Sequence, residues 1–171
     1  MAASEDRCWI CLSGSEAGQL ERPCACPRFV HRVCLGRWQL QSAGCSDEVS
    51  RCRFCDQLLP ALEDILAPKH LRDSAQQATP YMAVICNGVY HKVPVKPGVE
   101  GQAEFRARVN CLFGMPYDSD FQVSFECVAP TTGELLNLRG MNCFNAAASC
   151  AAISAAKRAA GKEGYFKWSE A

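Results

Sequence analysis

Four closely spaced pairs of metal-ligating residues dominate the first third of this chain: Cys8-x2-Cys11, Cys24-x-Cys26, His31-x2-Cys34 and Cys52-x2-Cys55. A two-residue gap lets both members of a pair reach one ion from a tight turn, and zinc takes four thiolate or imidazole ligands in a tetrahedron. Eight ligands therefore imply two Zn2+ ions. A site with four protein ligands keeps no position for water or substrate, so these zincs hold structure and do no catalysis. In so small a segment the free energy of zinc binding is the free energy of folding.

Composition narrows the setting. The chain has 171 residues and 13 cysteines, an odd number, and Met1–Arg7 runs straight into polar residues without the apolar stretch of a signal peptide. This favours a reducing compartment with metal-bound thiols over a secreted disulfide scaffold, and places the chain in the cytoplasm or the nucleus. The 18 Lys+Arg balance 18 Asp+Glu, which argues against a dominant nucleic-acid or polybasic membrane surface. No apolar run reaches the ~18 residues of a membrane span. The longest candidate, Asn145–Gly161, is mostly alanine and contains Lys157 and Arg158, so it reads as a helix in water. The five cysteines outside the pairs (Cys86, Cys111, Cys127, Cys143 and Cys150) are expected to act as small buried hydrophobes. Cys45 lies outside the pairing.

The ligand order, with Pro23 before Cys24-Ala-Cys26 and the run Phe29-Val30-His31-Arg32-Val33-Cys34-Leu35 followed by Trp38, resembles the RING-CH (RING-variant) zinc finger of ubiquitin ligases over residues 8–55. That resemblance implies a cross-brace in which Cys8, Cys11, His31 and Cys34 hold one zinc while Cys24, Cys26, Cys52 and Cys55 hold the other. It also implies docking of a ubiquitin-charged conjugating enzyme (E2) in a shallow groove made by Ile10, Trp38 and the loop around Cys52–Cys55. Ile10 and Trp38 have a second reading, as core packing between the zinc loops. The four-residue interval between Cys26 and His31 also suits a histone-reading PHD finger. Against that stand the single residue between Cys24 and Cys26 and the presence of Ser50 where PHD fingers place an aromatic. Asp56 and Gln57 follow the last pair, where many active RING modules carry a cation.

Beyond the pairs the pattern changes. Pro60, Pro68 and Pro80 punctuate a connector, with a short helix expected between the first two carrying Leu62, Ile65 and Leu66 on one side. Tyr81–Cys86 and Val89–Val95 flank Asn87-Gly88, a strong hairpin signal. Phe105, Val109, Leu112 and Phe113 predict a helix stopped by Gly114 and Pro116. Phe121–Cys127 alternates as a half-buried strand, Leu135–Arg139 follows a turn, then comes the Ala-rich helix, and Tyr165–Trp168 closes the order as a strand. This order resembles the β-grasp family, in its PB1-like and ubiquitin-like members, over residues 80–168. Such folds serve as docking surfaces. The expected architecture is α+β: a two-zinc cross-brace RING-like module (residues 1–57), a linker (58–79) and a β-grasp domain (80–171).

Two functions from different classes follow. The first is a RING-CH-type ubiquitin ligase that orients a charged E2 toward a substrate lysine, with the β-grasp domain recruiting the protein partner or substrate. The second is a non-enzymatic, zinc-stapled interaction or assembly subunit. The sequence contains no Ser/His/Asp set, phosphate-binding glycine loop or paired-carboxylate motif. Residues 1–68 contain no lysine, so self-modification is expected at Lys69, Lys92, Lys96, Lys157, Lys162 or Lys167.

Overall fold

The computed structural model describes residues 6–44, 50–67 and 79–159. Cys45, Lys69, His70 and the expected strand Tyr165–Trp168 lie outside the described residues. Backbone proximity divides the chain into two compact units, one of Met1–Leu66 with Phe121–Ala147 and one of Ala67–Asp120 with Ala148–Ala171.

The first unit begins with the zinc-ligand segment. Strands β1 (Leu20–Glu21) and β2 (Val30–His31) pair antiparallel, Leu20 with His31 and Glu21 with Val30. Helix α1 (Arg32–Ser42) starts directly after His31, whose extended backbone (φ −77°, ψ 137°) occupies the N-cap position. It buries Leu35, Gly36, Gln39 and Leu40, a single face of the helix. Helix α2 (Leu62–Leu66) packs on that face. A Cβ at Gly36 would come within 2.9 Å of Ile65 Cγ2 and 3.2 Å of Leu66 Cδ2, so the missing side chain permits the close approach. Gln39 Nε2 donates to the Pro60 carbonyl at 3.2 Å and Arg32 donates to the Asp64 carbonyl, tying the connector to α1. The apolar residues Ile65 and Leu66 thus seal the zinc segment from outside. Leu59 and Ile65 join Cys8, Val30, Leu35 and Cys52 in one core.

The same unit contains the hairpin of β5 (Ser124–Val128) and β6 (Leu135–Arg139), in register Phe125 with Leu138 and Cys127 with Leu136. Phe125, Leu136 and Leu138 are buried, and Phe125 meets Phe144 edge-on at 6.2 Å. The strand starts three residues later than the alternation from Phe121 suggests, because the Val123 carbonyl accepts the Gly140 N–H at 2.9 Å and closes the hairpin there.

In the second unit, β3 (Tyr81–Cys86) and β4 (Val89–Pro94) pair antiparallel around Asn87 (φ 51°) and Gly88 (φ 76°), both left-handed as a type I′ turn requires. Helix α3 (Val99–Leu112) buries Phe105 and Val109 and ends at Gly114 (φ 64°). Helix α4 (Phe144–Ala159) begins in the first unit and belongs to the second from Ala148 on, where Ala148, Cys150, Ile153 and Ala155 are buried.

One expectation is not shown and one needs correction. Among the described residues β3–β4 and β5–β6 form separate two-stranded sheets, and the single mixed sheet of a β-grasp is not shown. Local signals fix each hairpin but carry no information on which hairpins join. Among the lone cysteines, Cys86, Cys143 and Cys150 are buried and Cys127 is half-buried, but Cys111, in α3, is exposed. No helix among the described residues is long and apolar enough to cross a membrane.

Candidate metal centre

The two Cys-x2-Cys turns are built alike. The Leu12 N–H donates to the Cys8 carbonyl and the Asp56 N–H to the Cys52 carbonyl, each at 2.8 Å. The Cys8 N–H reaches the Ser13 carbonyl at 2.9 Å and the Cys52 N–H the Gln57 carbonyl at 2.8 Å. Each turn closes through a residue of positive φ just after its second cysteine, Leu12 (65°) and Asp56 (58°). This conformation costs a non-glycine residue of order 1 kcal/mol. The reversal points both thiols of each pair the same way, as a shared ion requires.

The Trp9 N–H donates to the Phe29 carbonyl at 3.0 Å, which lays the first turn beside the chain that enters β2 and carries His31 to Cys8 and Cys11. One turn into α1, Cys34 completes the set. The ligand atoms of Cys8, Cys11, His31 and Cys34 lie within 4.8 Å of one another, as do those of Cys24, Cys26, Cys52 and Cys55. Zinc bonds of about 2.3 Å to sulfur and about 2.0 Å to nitrogen set tetrahedral ligand atoms roughly 3.5–3.8 Å apart. Cys11 Sγ and Cys34 Sγ stand 3.3 and 3.8 Å from His31 Nδ1, and Cys26 Sγ stands 4.0 Å from Cys52 Sγ. Both donor sets, one of three thiolates with an imidazole and one of four thiolates, fit a structural zinc.

Surrounding groups set the ligand orientation. His31 Nε2 lies 3.0 Å from the Gly14 carbonyl, to which it donates when Nδ1 is the zinc ligand. Gly14 is itself held by its N–H bond to Glu16 Oε1 at 2.8 Å. At the other site Gln57 Oε1 accepts the Ala25 N–H at 2.7 Å and joins the two cysteine pairs. Asp56 is committed too: Arg51 Nη1 donates to its carbonyl at 2.8 Å and lies 3.5 Å from its carboxylate.

Four thiols packed this closely cannot all ionise without a cation. The Ser13 amide brings Cys11 down to about 6. Burial pushes Cys52 up, but the amides of Phe54 and Cys55, with neighbouring thiols, bring it to about 7. Burial and the neighbouring sulfurs Cys11 and Cys8 push Cys34 up to about 12. Cys26 is pushed to about 12 by its hydrogen bond with Cys55 and by burial, and burial also raises Cys24. A dication relieves this conflict by taking the place of the shared protons.

Ile10 and Trp38 are half-buried against the core. Trp9 meets Trp38 edge-on at 5.6 Å and Phe54 at 5.4 Å, so one indole links the two zinc turns and α1. Phe54 and Leu58 were not singled out in the sequence, yet they are 43% and 68% exposed, and Phe54 belongs to this cluster. Phe54 holds the same place in Cys52-Arg53-Phe54-Cys55 that Ile10 holds in Cys8-Trp9-Ile10-Cys11, a signal that counting could have found. Arg28 stacks over Phe54 at 4.0 Å and Arg22 over Phe29 at 4.6 Å.

Several described surface cations of the second unit have partners. Lys96 lies 2.8 Å from Glu104, Arg106 lies 2.7 Å from Asp120, and Lys92 sits over the Tyr81 ring.

Neither the curated proteins nor the solved structures include a match to this chain. The family model of the RING-variant domain does match, over residues 8–55. With both ligand clusters assembled inside that span, residues 8–55 are a RING-variant zinc-binding module.

Proposed function

We propose that this module docks a ubiquitin-charged E2 and holds its thioester for attack by a substrate lysine, as a RING-CH-type ligase does. Catalysis of this kind is orientation of the two reactants. The observation that carries the reading is the half-buried aromatic face on the RING-variant module, where Trp9 bridges Trp38 and Phe54 beside Ile10. Such a face offers apolar area that a partner can cover without unfolding the module. Residues 80–171 would recruit the protein partner or substrate. Their β-grasp reading is supported by element order alone.

The histone-reader alternative fits less well. A methyl-ammonium cage needs open aromatic faces, whereas Arg22 covers Phe29 and Arg28 covers Phe54. The assembly-subunit alternative draws support from Asp56 and Gln57, which brace the last zinc turn where many RING modules carry a cation.

Binding of a panel of E2 enzymes to the zinc-loaded chain, measured by calorimetry, tests the docking claim. An E2 that binds the native chain and loses at least about tenfold in affinity for Ile10→Ala and Trp38→Ala supports it. Equal binding by the variants, with two zincs retained, moves the docking site elsewhere.

A further inference from the structure

Arginine and lysine are not distributed alike over the two units. Eight of the twelve arginines fall in residues 1–66 and 121–147, the two stretches that make the zinc-bearing unit, and all six lysines fall outside them. Scattering the two residue types at random over the same 18 cation positions would do this about once in a hundred. Residues 1–66 hold seven of these eight arginines, and Arg139 in Phe121–Ala147, which the fold groups with them, is the eighth.

The chemical difference between the two cations is nucleophilicity. A neutral lysine amine attacks a thioester, whereas a guanidinium stays protonated and does not. In that attack the lysine Nζ forms a C–N bond to the ubiquitin carbonyl carbon, the C–S bond to the E2 cysteine breaks, the sulfur leaves as thiolate and the proton released by nitrogen passes to solvent. Arginine keeps the positive charge and its ion pairs without this reactivity, as between Arg37 and Glu134 (3.3 Å) or Arg32 and Glu21 (3.9 Å).

We infer that the zinc-bearing unit is built without ubiquitin acceptors, so that self-modification is confined to the lysines of the other unit and spares the docking module. The inference rests on the ligase reading above. Lys92 and Lys96 differ as acceptors. Lys96 is held as an ammonium between Glu104 and Glu100, 2.8 and 3.6 Å away, whereas Lys92 is exposed on β4 and sits over the Tyr81 ring.

The test places lysines where the fold has arginines, in the full zinc-loaded chain: Arg37→Lys on α1 and Arg139→Lys on β6, both exposed. Each variant is incubated with activating enzyme, ATP, ubiquitin and an E2, conjugates are mapped by mass spectrometry, and discharge onto free lysine is followed in parallel. The expected result is native conjugation on the existing lysines with Lys92 ahead of Lys96. Each variant gains a conjugate at the new lysine, formed about tenfold faster than at any native site, while initial discharge onto free lysine is unchanged. New lysines that stay unmodified while native ones react would overturn the inference, as would discharge onto free lysine with no self-conjugation in any chain. Absence of discharge onto free lysine from every E2 would instead remove the ligase reading, and this inference with it.

Discussion

His31 divides its two ring nitrogens between different tasks: Nδ1 faces Cys11 and Cys34, and Nε2 faces the Gly14 carbonyl. The ligand was legible because spacing in the chain reports directly on side chains that share an ion. The carbonyl that orients it was not, since a backbone oxygen leaves no mark on residue type. Protons follow the same residue-level logic. In the metal-free clusters Cys24, Cys26 and Cys34 titrate above the usual thiol range and carry protons at pH 7, whereas Cys11, at about 6, is already mostly thiolate. Zinc binds thiolates, so loading must expel the protons, and acid, which returns them, must expel zinc. Zinc titration in weakly buffered solution at pH 7 should release at least three protons per chain from these three thiols, and zinc affinity should fall as the pH is lowered from 8 to 6. Loading without proton release would contradict the ionisation pattern. Cys24→Ser removes one ligand of the four-thiolate site, and atomic absorption should find one zinc per chain instead of two.

Gly101 shows how an element can reverse a propensity. Glycine in a helix interior is ordinarily worth replacing, because alanine gains about 1 kcal/mol. Here a Cβ would collide with the Lys96 carbonyl oxygen, a backbone atom that cannot rotate away. Gly101→Ala should therefore destabilise, by about 1–3 kcal/mol as overpacking does, read as a lower urea midpoint. A raised midpoint would show that the first turn of α3 is not seated on Lys96. At this scale the sequence was read well where the signal is local. Asn87-Gly88 gave its hairpin, the Phe105 and Val109 spacing gave α3, and the prolines bracketed α2. Strand pairing between hairpins was not readable, because the order of elements constrains pairing only through contacts that no local pattern encodes. The destination of Ile65 and Leu66, on α1 across Gly36, was equally beyond reach until the glycine was seen opposite them.

For the whole molecule, metal and fold are coupled in one unit and not throughout. Chelation should unfold the RING-variant module, exposing Trp9 and Trp38 and shifting their emission to the red, while α3 and the Ala148–Ala159 part of α4 keep their far-ultraviolet helical signal. Complete loss of helix on chelation would mean that the second unit depends on zinc as well. The division into units was only partly legible: the cysteine pairs marked the module's span, but nothing in Phe121–Ala147 announces that it packs with residues before Leu66. The most direct measurement is discharge of ubiquitin from charged E2 enzymes onto free lysine by the native chain, its Ile10→Ala variant and the chelated protein. The native chain should accelerate discharge from at least one E2, and both of the others should lose that acceleration. No acceleration with any E2, in protein holding two zincs, would contradict the docking of a charged E2 on this module.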